Sequence, residues 1–214
     1  MRAPTYQNLP QRIGQALRES ILDGELPPGS RLKQVDIAAR FDTSLIPVRE
    51  ALRTLEQEGL VTIYPNKGAM VSALSIREIR EIFDTRIILE SGALRLALPA
   101  LAPDDIAQAN RLIARLDTAV HGRDLSRFNQ RLHTTLYRRC DNSCLLELIA
   151  TLHRNVERYM RLYLLDDYNN ELSQKFHRRI VEAAAAGDFQ LASQHLTTHM
   201  EQARDRLVAA LAAS

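Results

Sequence analysis

Cysteine is scarce in this chain: Cys140 and Cys144 are the only two in 214 residues. Four apart and without a second pair, they make neither a disulfide framework nor a zinc knuckle, and they read as reduced packing residues on adjoining helix ends. Long apolar runs are missing too. No stretch approaches the roughly 18 residues of a membrane helix, and the N-terminus lacks the pattern of a signal peptide, which predicts a cytoplasmic protein with no membrane partner. Charge of one sign is equally lacking. The net charge is +2, and residues 1–74 carry 9 Lys/Arg against 8 Asp/Glu, so any positive field must be local. From residue 75 onward there is no strand alternation and no internal repeat. The length suits two modest domains, and composition changes character near residues 72–74 with little flexible linker.

Residues 43–71 are the most informative stretch. Pro47 suits a first helical turn, and Thr43 or Ser44 can cap it. Val48, Ala51, Leu52 and Leu55 recur at helical spacing as one buried stripe, while Arg49, Arg53 and Gln57 form an i, i+4, i+8 row on the flank of the opposite face. That row can reach phosphates and base edges. Gly59 stops the helix, residues 60–64 suit a strand, and Asn66-Lys67-Gly68 supplies the turn of a hairpin returning through 69–72. Upstream, Leu9, Ile13, Leu17 and Ile21 repeat every four residues and predict a first helix ending near Asp23-Gly24, before the turn at Pro27-Pro28-Gly29. A short helix over 34–41 follows, its Val35, Ile37, Ala38 and Phe41 expected to pack on the recognition helix across the turn at 42–44. A basic hairpin tip beside a recognition helix is a winged helix-turn-helix. Its candidate DNA-facing residues are Arg31, Arg40, Thr43, Ser44, Pro47, Arg49, Arg53, Asn66, Lys67 and Gly68, with Arg12 as a further local cation.

The run Pro27-Pro28-Gly29-Ser30-Arg31-Leu32, then Ile37-Ala38, then Ser44 with Pro47-Val48-Arg49-Glu50-Ala51-Leu52-Arg53 and Glu58-Gly59-Leu60-Val61, resembles the DNA-binding domain of GntR-family bacterial transcription regulators. The motifs are ordered and correctly spaced over about seventy residues, a stronger signal than any single short pattern. One position departs: many members carry Arg after the serine, where this chain has Leu45.

The remainder reads as helix after helix. Ser75-Ile76-Arg77-Glu78 is a capping box opening a helix to about 97, which Pro99 and Pro103 then break. Further helices are expected over about 104–120, closed near Gly122, then 125–139, 143–164 and 171–186, with a last one from 188 nearly to the end. The expected fold is therefore mainly α: a winged helix-turn-helix with a small hairpin wing in 1–74 and an antiparallel six-helix bundle in 75–214. Bundles place ligand and metal sites between facing helices.

Arg86-Ile87-Ile88-Leu89-Glu90, Phe128-Asn129 with Leu132-His133, Phe176-His177 with Ile180, and His199 resemble the FCD domain of the FadR branch, in its VanR-like six-helix form. The resemblance implies effector binding and homodimerisation. In many such proteins an Asp and three His hold a divalent metal that grips a carboxylate. His133, His177 and His199 match the three histidines, and Asn129 stands where the Asp belongs. An amide oxygen can ligate, but the lost charge lowers metal affinity. Imidazole-rich ligation suits Zn, Ni, Cu or Fe. His195, four residues before His199, reads as a supporting or packing residue. Arg86 reads either as a bidentate carboxylate contact or as the i+4 partner of Glu90. Tyr137, Asn155, Tyr159 and Tyr163 either line a cavity or pack.

The implied protein is a homodimeric regulator, expected to be a repressor. It would read a near-palindromic double-stranded operator and respond to a small carboxylic acid. Two alternatives are a direct metal sensor and a metal-dependent enzyme. Against the enzyme, His195-Leu196-Thr197-Thr198-His199 lacks the glutamate of a zinc-protease motif.

Overall fold

The computed structural model describes residues 9–65, 67–73, 75–119, 122–163 and 171–213. The chain divides into two units, Met1–Ala73 and Leu74–Ser214. No described helix is long and apolar enough to cross a membrane.

The first unit runs α1 (Leu9–Leu22), β1 (Arg31–Leu32), α2 (Gln34–Arg40), α3 (Leu45–Gln57), β2 (Val61–Tyr64) and β3 (Gly68–Val71). Its core joins Ile13, Leu17 and Ile21 of α1 to Val48, Leu52 and Leu55 of α3, with Ala69 and Val71 from the sheet. The expected hairpin is present, with Ile63 opposite Ala69 and Tyr64 opposite Gly68. It is one part of a three-stranded antiparallel sheet ordered β1-β3-β2. Strand β1 is not legible in the sequence, because two residues cannot display an alternation. The turn before it makes the pairing: Gly29 N–H donates to the Val71 carbonyl at 2.9 Å, and Val71 N–H to the Ser30 carbonyl at 2.9 Å.

Helix ends in this unit follow from backbone bonds more than from side chains. Gly59, at φ +72°, ends α3 with its own N–H on the Glu56 carbonyl and Leu60 N–H on the Leu55 carbonyl, both at 2.9 Å; this is a Schellman motif. The turn of the helix-turn-helix uses the same motif, with Asp42 at φ +48° in the glycine position, the one non-glycine residue with positive φ among those described. Thr43 N–H there meets the Ala38 carbonyl at 3.0 Å. Two expectations are corrected. Ser44 is the N-cap residue of α3, yet its side chain makes no capping bond. Val35 does not pack on α3: it is 68 % exposed, and Ile37 and Ala38 alone carry the buried side of α2.

The second unit comprises α4 (Ile76–Ala97), α5 (Pro103–Thr118), α6 (Gly122–Tyr137), α7 (Ser143–Tyr163), α8 (Glu171–Ala185) and α9 (Phe189–Ala212). Among the described residues these are the six bundle helices expected. The capping box is realised in both directions, Glu78 N–H to Ser75 Oγ at 3.1 Å and Ser75 N–H to Glu78 Oε2 at 2.7 Å. Pro103 opens α5 rather than only ending what precedes it, as its missing N–H permits at a first helical position. Gly122 opens α6 instead of closing α5, and the helix starts about one turn earlier than expected. Asp124 in that first turn complements the free N–H groups of the helix start. Phe83, Leu94, Leu112, Leu116, Tyr137, Tyr159 and Leu196 are among the bundle's buried residues. Cys140 is buried as expected, whereas Cys144 is exposed.

Candidate metal centre and nucleic-acid interface

Helix α3 presents a charged outer face on which Glu50 stays exposed beside the arginines, while the acids at its C-terminal end are engaged elsewhere. Glu58 pairs with Arg18 of α1 through two bonds of 2.6 and 2.8 Å, and Glu56 Oε1 accepts from Ile63 N–H at 3.1 Å. Arg49, Arg53 and Gln57 all remain exposed. Arg49 is steadied by Gln34 of α2, its Nε donating to Gln34 Oε1 at 3.0 Å. Gln34 escaped the sequence reading, since its role depends on how α2 crosses α3. Arg31 is exposed on β1, Arg40 is exposed with its guanidinium 5.7 Å from the Phe41 ring centre, and Lys67 is exposed at the hairpin tip. Gly68 sits at φ +83°, which only a residue without Cβ adopts freely. Thr43 and Pro47 are half-buried and Ser44 is exposed. Asn66 lies outside the described residues. Leu45, at the position where many members of the resembled family carry Arg, is half-buried and packs against this unit's core.

In the bundle, His133 on α6, His177 on α8 and His199 on α9 converge from three helices. Each is buried, and one ring nitrogen from each lies within 4.8 Å of the others. His177 Nε2 and His199 Nε2 are 3.1 Å apart. Two ligands on one ion at about 2.1 Å in tetrahedral geometry would stand about 3.4 Å apart, so the donor set fits a transition metal. Neighbours orient the rings. Gln174 Oε1 lies 3.2 Å from His177 Nδ1, a partner for Nδ1–H that leaves the Nε2 lone pair toward the cluster. On His133, Nδ1 faces Tyr137 Oη at 3.4 Å and Glu90 Oε2 at 3.6 Å.

Glu90 ties this region together. At 1 % exposure it accepts from Arg86 Nε at 2.9 Å and from the Tyr137 hydroxyl at 2.8 Å. Arg86 is therefore buried and is the i+4 partner of Glu90. The terminal guanidinium nitrogens are not used in that bond. Burial sets the protonation states. It pushes His133 down to about 3, with Arg86 adding to the effect, and it holds His177 and His199 well below the ordinary histidine value, with the neighbouring histidines contributing. Neutral imidazoles with free lone pairs at neutral pH are what metal ligation requires. Burial and Glu90 together raise Tyr137 well above the usual phenol value, so it remains a hydrogen donor.

The remaining expected residues are dispersed around this core. Asn129 is half-buried on α6, one turn before His133. His195 is half-buried with its ring centre 6.3 Å from that of Phe176, a packing position. Asn155 lines a groove between α4 and α7 with Glu78, Glu81, Ile82, Thr85 and Leu152. Tyr159 is buried core, and the side chain of Tyr163 lies outside what is described. Glu90 and Gln174 were missed as site members. Their spacing from Arg86 and His177 was legible, but the cross-helix bond from Tyr137 to Glu90 was not.

Comparison with known proteins bears on both units. Residues 9–71 match the family described as bacterial regulatory proteins, gntR family, and residues 81–202 match the FCD domain. An uncharacterized HTH-type transcriptional regulator in an unstable DNA locus of Streptomyces ambofaciens is 31% identical over 196 residues, 88% of this chain and 80% of that protein. The gluconate operon transcriptional repressor of Bacillus subtilis is 24% identical over 208 residues, 92% of this chain and 84% of the repressor. Among solved structures, a putative transcriptional regulator GntR from Rhodococcus sp. RHA1 superposes with a TM-score of 0.77 at 25% identity, covering 94% of this chain and 97% of that one. These relatives are regulators and not enzymes. The chain, a winged helix-turn-helix followed by a histidine-centred helical bundle, belongs to the GntR family of bacterial transcriptional regulators, with an FCD domain as its second unit.

Proposed function

We propose that this protein is a homodimeric repressor whose grip on a near-palindromic operator is controlled by a small carboxylic acid bound in the helical unit through a divalent metal. The observation that carries the reading is the buried cluster of His133, His177 and His199 beside the Arg86–Glu90 pair. The three imidazoles would hold Zn, Ni or a similar ion, with Asn129 offering an amide oxygen in place of a carboxylate. When bound, the metal supplies a positive centre for the oxygens of the acid. Arg86 spends Nε on Glu90 and keeps its terminal nitrogens for a carboxylate. Tyr137 fixes Glu90 in place. The relative that controls a gluconate operon supports a sugar acid as one class to test.

Two copies related by a two-fold axis would each read one half-site through α3 and the hairpin. The acid changes operator affinity by no more than its preference between the DNA-bound and free arrangements.

A second reading is favoured by Glu90 itself. Because it already compensates Arg86, the metal alone can be the signal. One experiment separates the two. Metal content is measured by elemental mass spectrometry before and after chelation, and operator gel shifts are then run with gluconate, lactate and succinate in the presence and absence of metal. Near-stoichiometric metal that disappears in His133→Ala, together with an acid-dependent shift, supports the main reading. A shift that follows metal with no acid supports the sensor. Absence of both metal and acid response overturns both.

A further inference from the structure

We infer that Ile46 is a specificity-determining residue that reads the 5-methyl group of thymine in the major groove. Ile46 is the second residue of α3, and it is 66 % exposed. Its neighbours have clear structural reasons for their identity: Leu45 packs inward on the core of the unit, and Val48 two residues later is fully buried. Ile46 contributes nothing to that core. It stands instead three residues before Arg49 and seven before Arg53, hence on the same helix face as the exposed arginines.

The surroundings name the occupant. In a helix-turn-helix, the N-terminal residues of the second helix are the ones that meet base edges. Charged neighbours fix that register on phosphates. An aliphatic side chain among them has no hydrogen bond to offer, and the one apolar group a base pair presents in the major groove is the thymine methyl. Arg49, held by Gln34, and the outward Arg53, Arg31 and Lys67 supply the positive frame in which an isoleucine is pressed against that methyl. At the position after Ser44, where many members of the resembled family carry arginine, this chain packs Leu45 against its core and offers Ile46 as its apolar reader.

The test uses the full-length protein. A preferred double-stranded sequence is selected from a random pool, and each thymine is then replaced in turn by deoxyuridine, which removes only the methyl. The expected result is that one thymine position per half-site binds about fourfold more weakly as uracil, the worth of one buried methyl-sized group. The Ile46→Ala variant binds thymine and uracil at that position equally. The uracil series on the unaltered protein does not depend on how the variant folds. An enriched sequence with no uracil-sensitive position, or an unchanged uracil profile in Ile46→Ala, overturns the contact. A pool with no enriched sequence overturns DNA reading itself, and the inference with it.

Discussion

The two units use charge in opposite ways. On α3 the arginines stand in solvent with Glu50, while toward its C-terminal end Glu56 bonds the sheet and Glu58 pairs with α1. In the bundle, Arg86, Glu90 and three histidines are all buried. A polyanion is met by exposed cations whose loss changes affinity and leaves the fold alone. A buried site is different, because a charge stripped of its partner in a low-dielectric interior remains as a penalty. Function and stability are thus separable in the first unit and coupled in the second.

The strongest way to expose that contrast is acid. In the metal-free protein, His133, His177 and His199 stay neutral when folded, their folded values lying below the ordinary 6.5. The unfolded chain takes up protons as pH falls through 6.5, so stability is full above that value and declines below it. The slope is about 1.4 kcal/mol per histidine per pH unit, continuing toward the folded value of about 3 for His133. Thermal melts from pH 7.5 to 4.5 should show a steep loss in the bundle. A flat profile would mean the histidines are solvated.

Next in size is Glu90→Ala, which strands Arg86 and should destabilise the bundle by about 3–5 kcal/mol in urea unfolding. Substituting both, as Arg86→Met with Glu90→Leu, should recover most of it. If the single change costs no more than a surface substitution, the pair is not buried in solution. The counterpart in the first unit is Arg49→Ala, expected to weaken operator binding by roughly 1–3 kcal/mol and flatten the salt dependence, with melting unchanged. An unaltered gel-shift affinity would remove Arg49 from the interface.

Two smaller effects sharpen the comparison. Asn129→Asp adds the charge the histidine set lacks and should tighten metal binding about tenfold, of the order that groups around a metal site contribute; competition against a chromophoric chelator reads it. Equal affinity would mean residue 129 does not face the ion. Asp42→Gly relieves the one positive-φ side chain among the described residues and should stabilise the first unit by about 0.5 kcal/mol. A loss of stability there would reveal a contact of the Asp42 side chain.

Much of this was legible beforehand for reasons that differ by element. The α3 stripe of Val48, Ala51, Leu52 and Leu55 is local, so its period predicts its burial. The capping box at Ser75 is local in the same sense. Val35 was misplaced because a seven-residue helix has too few turns for its period to say which apolar residue faces in. The strand β1 was missed because its partner, β3, lies almost forty residues away and its own length carries no pattern. At the site, the three histidines are legible through resemblance, while in the sequence Glu90 reads only as a neighbour of Arg86.

The sequence by itself determined the helical periodicities, the helix end at Gly59, the order of motifs that defines the family, and the residues able to carry its chemistry. Those depend on contacts within a few residues of one another, which local steric and hydrogen-bonding rules govern. Only the tertiary structure decided that His133, His177 and His199 meet, that Tyr137 reaches Glu90 across 47 positions, and that Ile46 is left outside while Leu45 turns in. These depend on how helices pack, and no local rule specifies which faces of distant helices will share one interior.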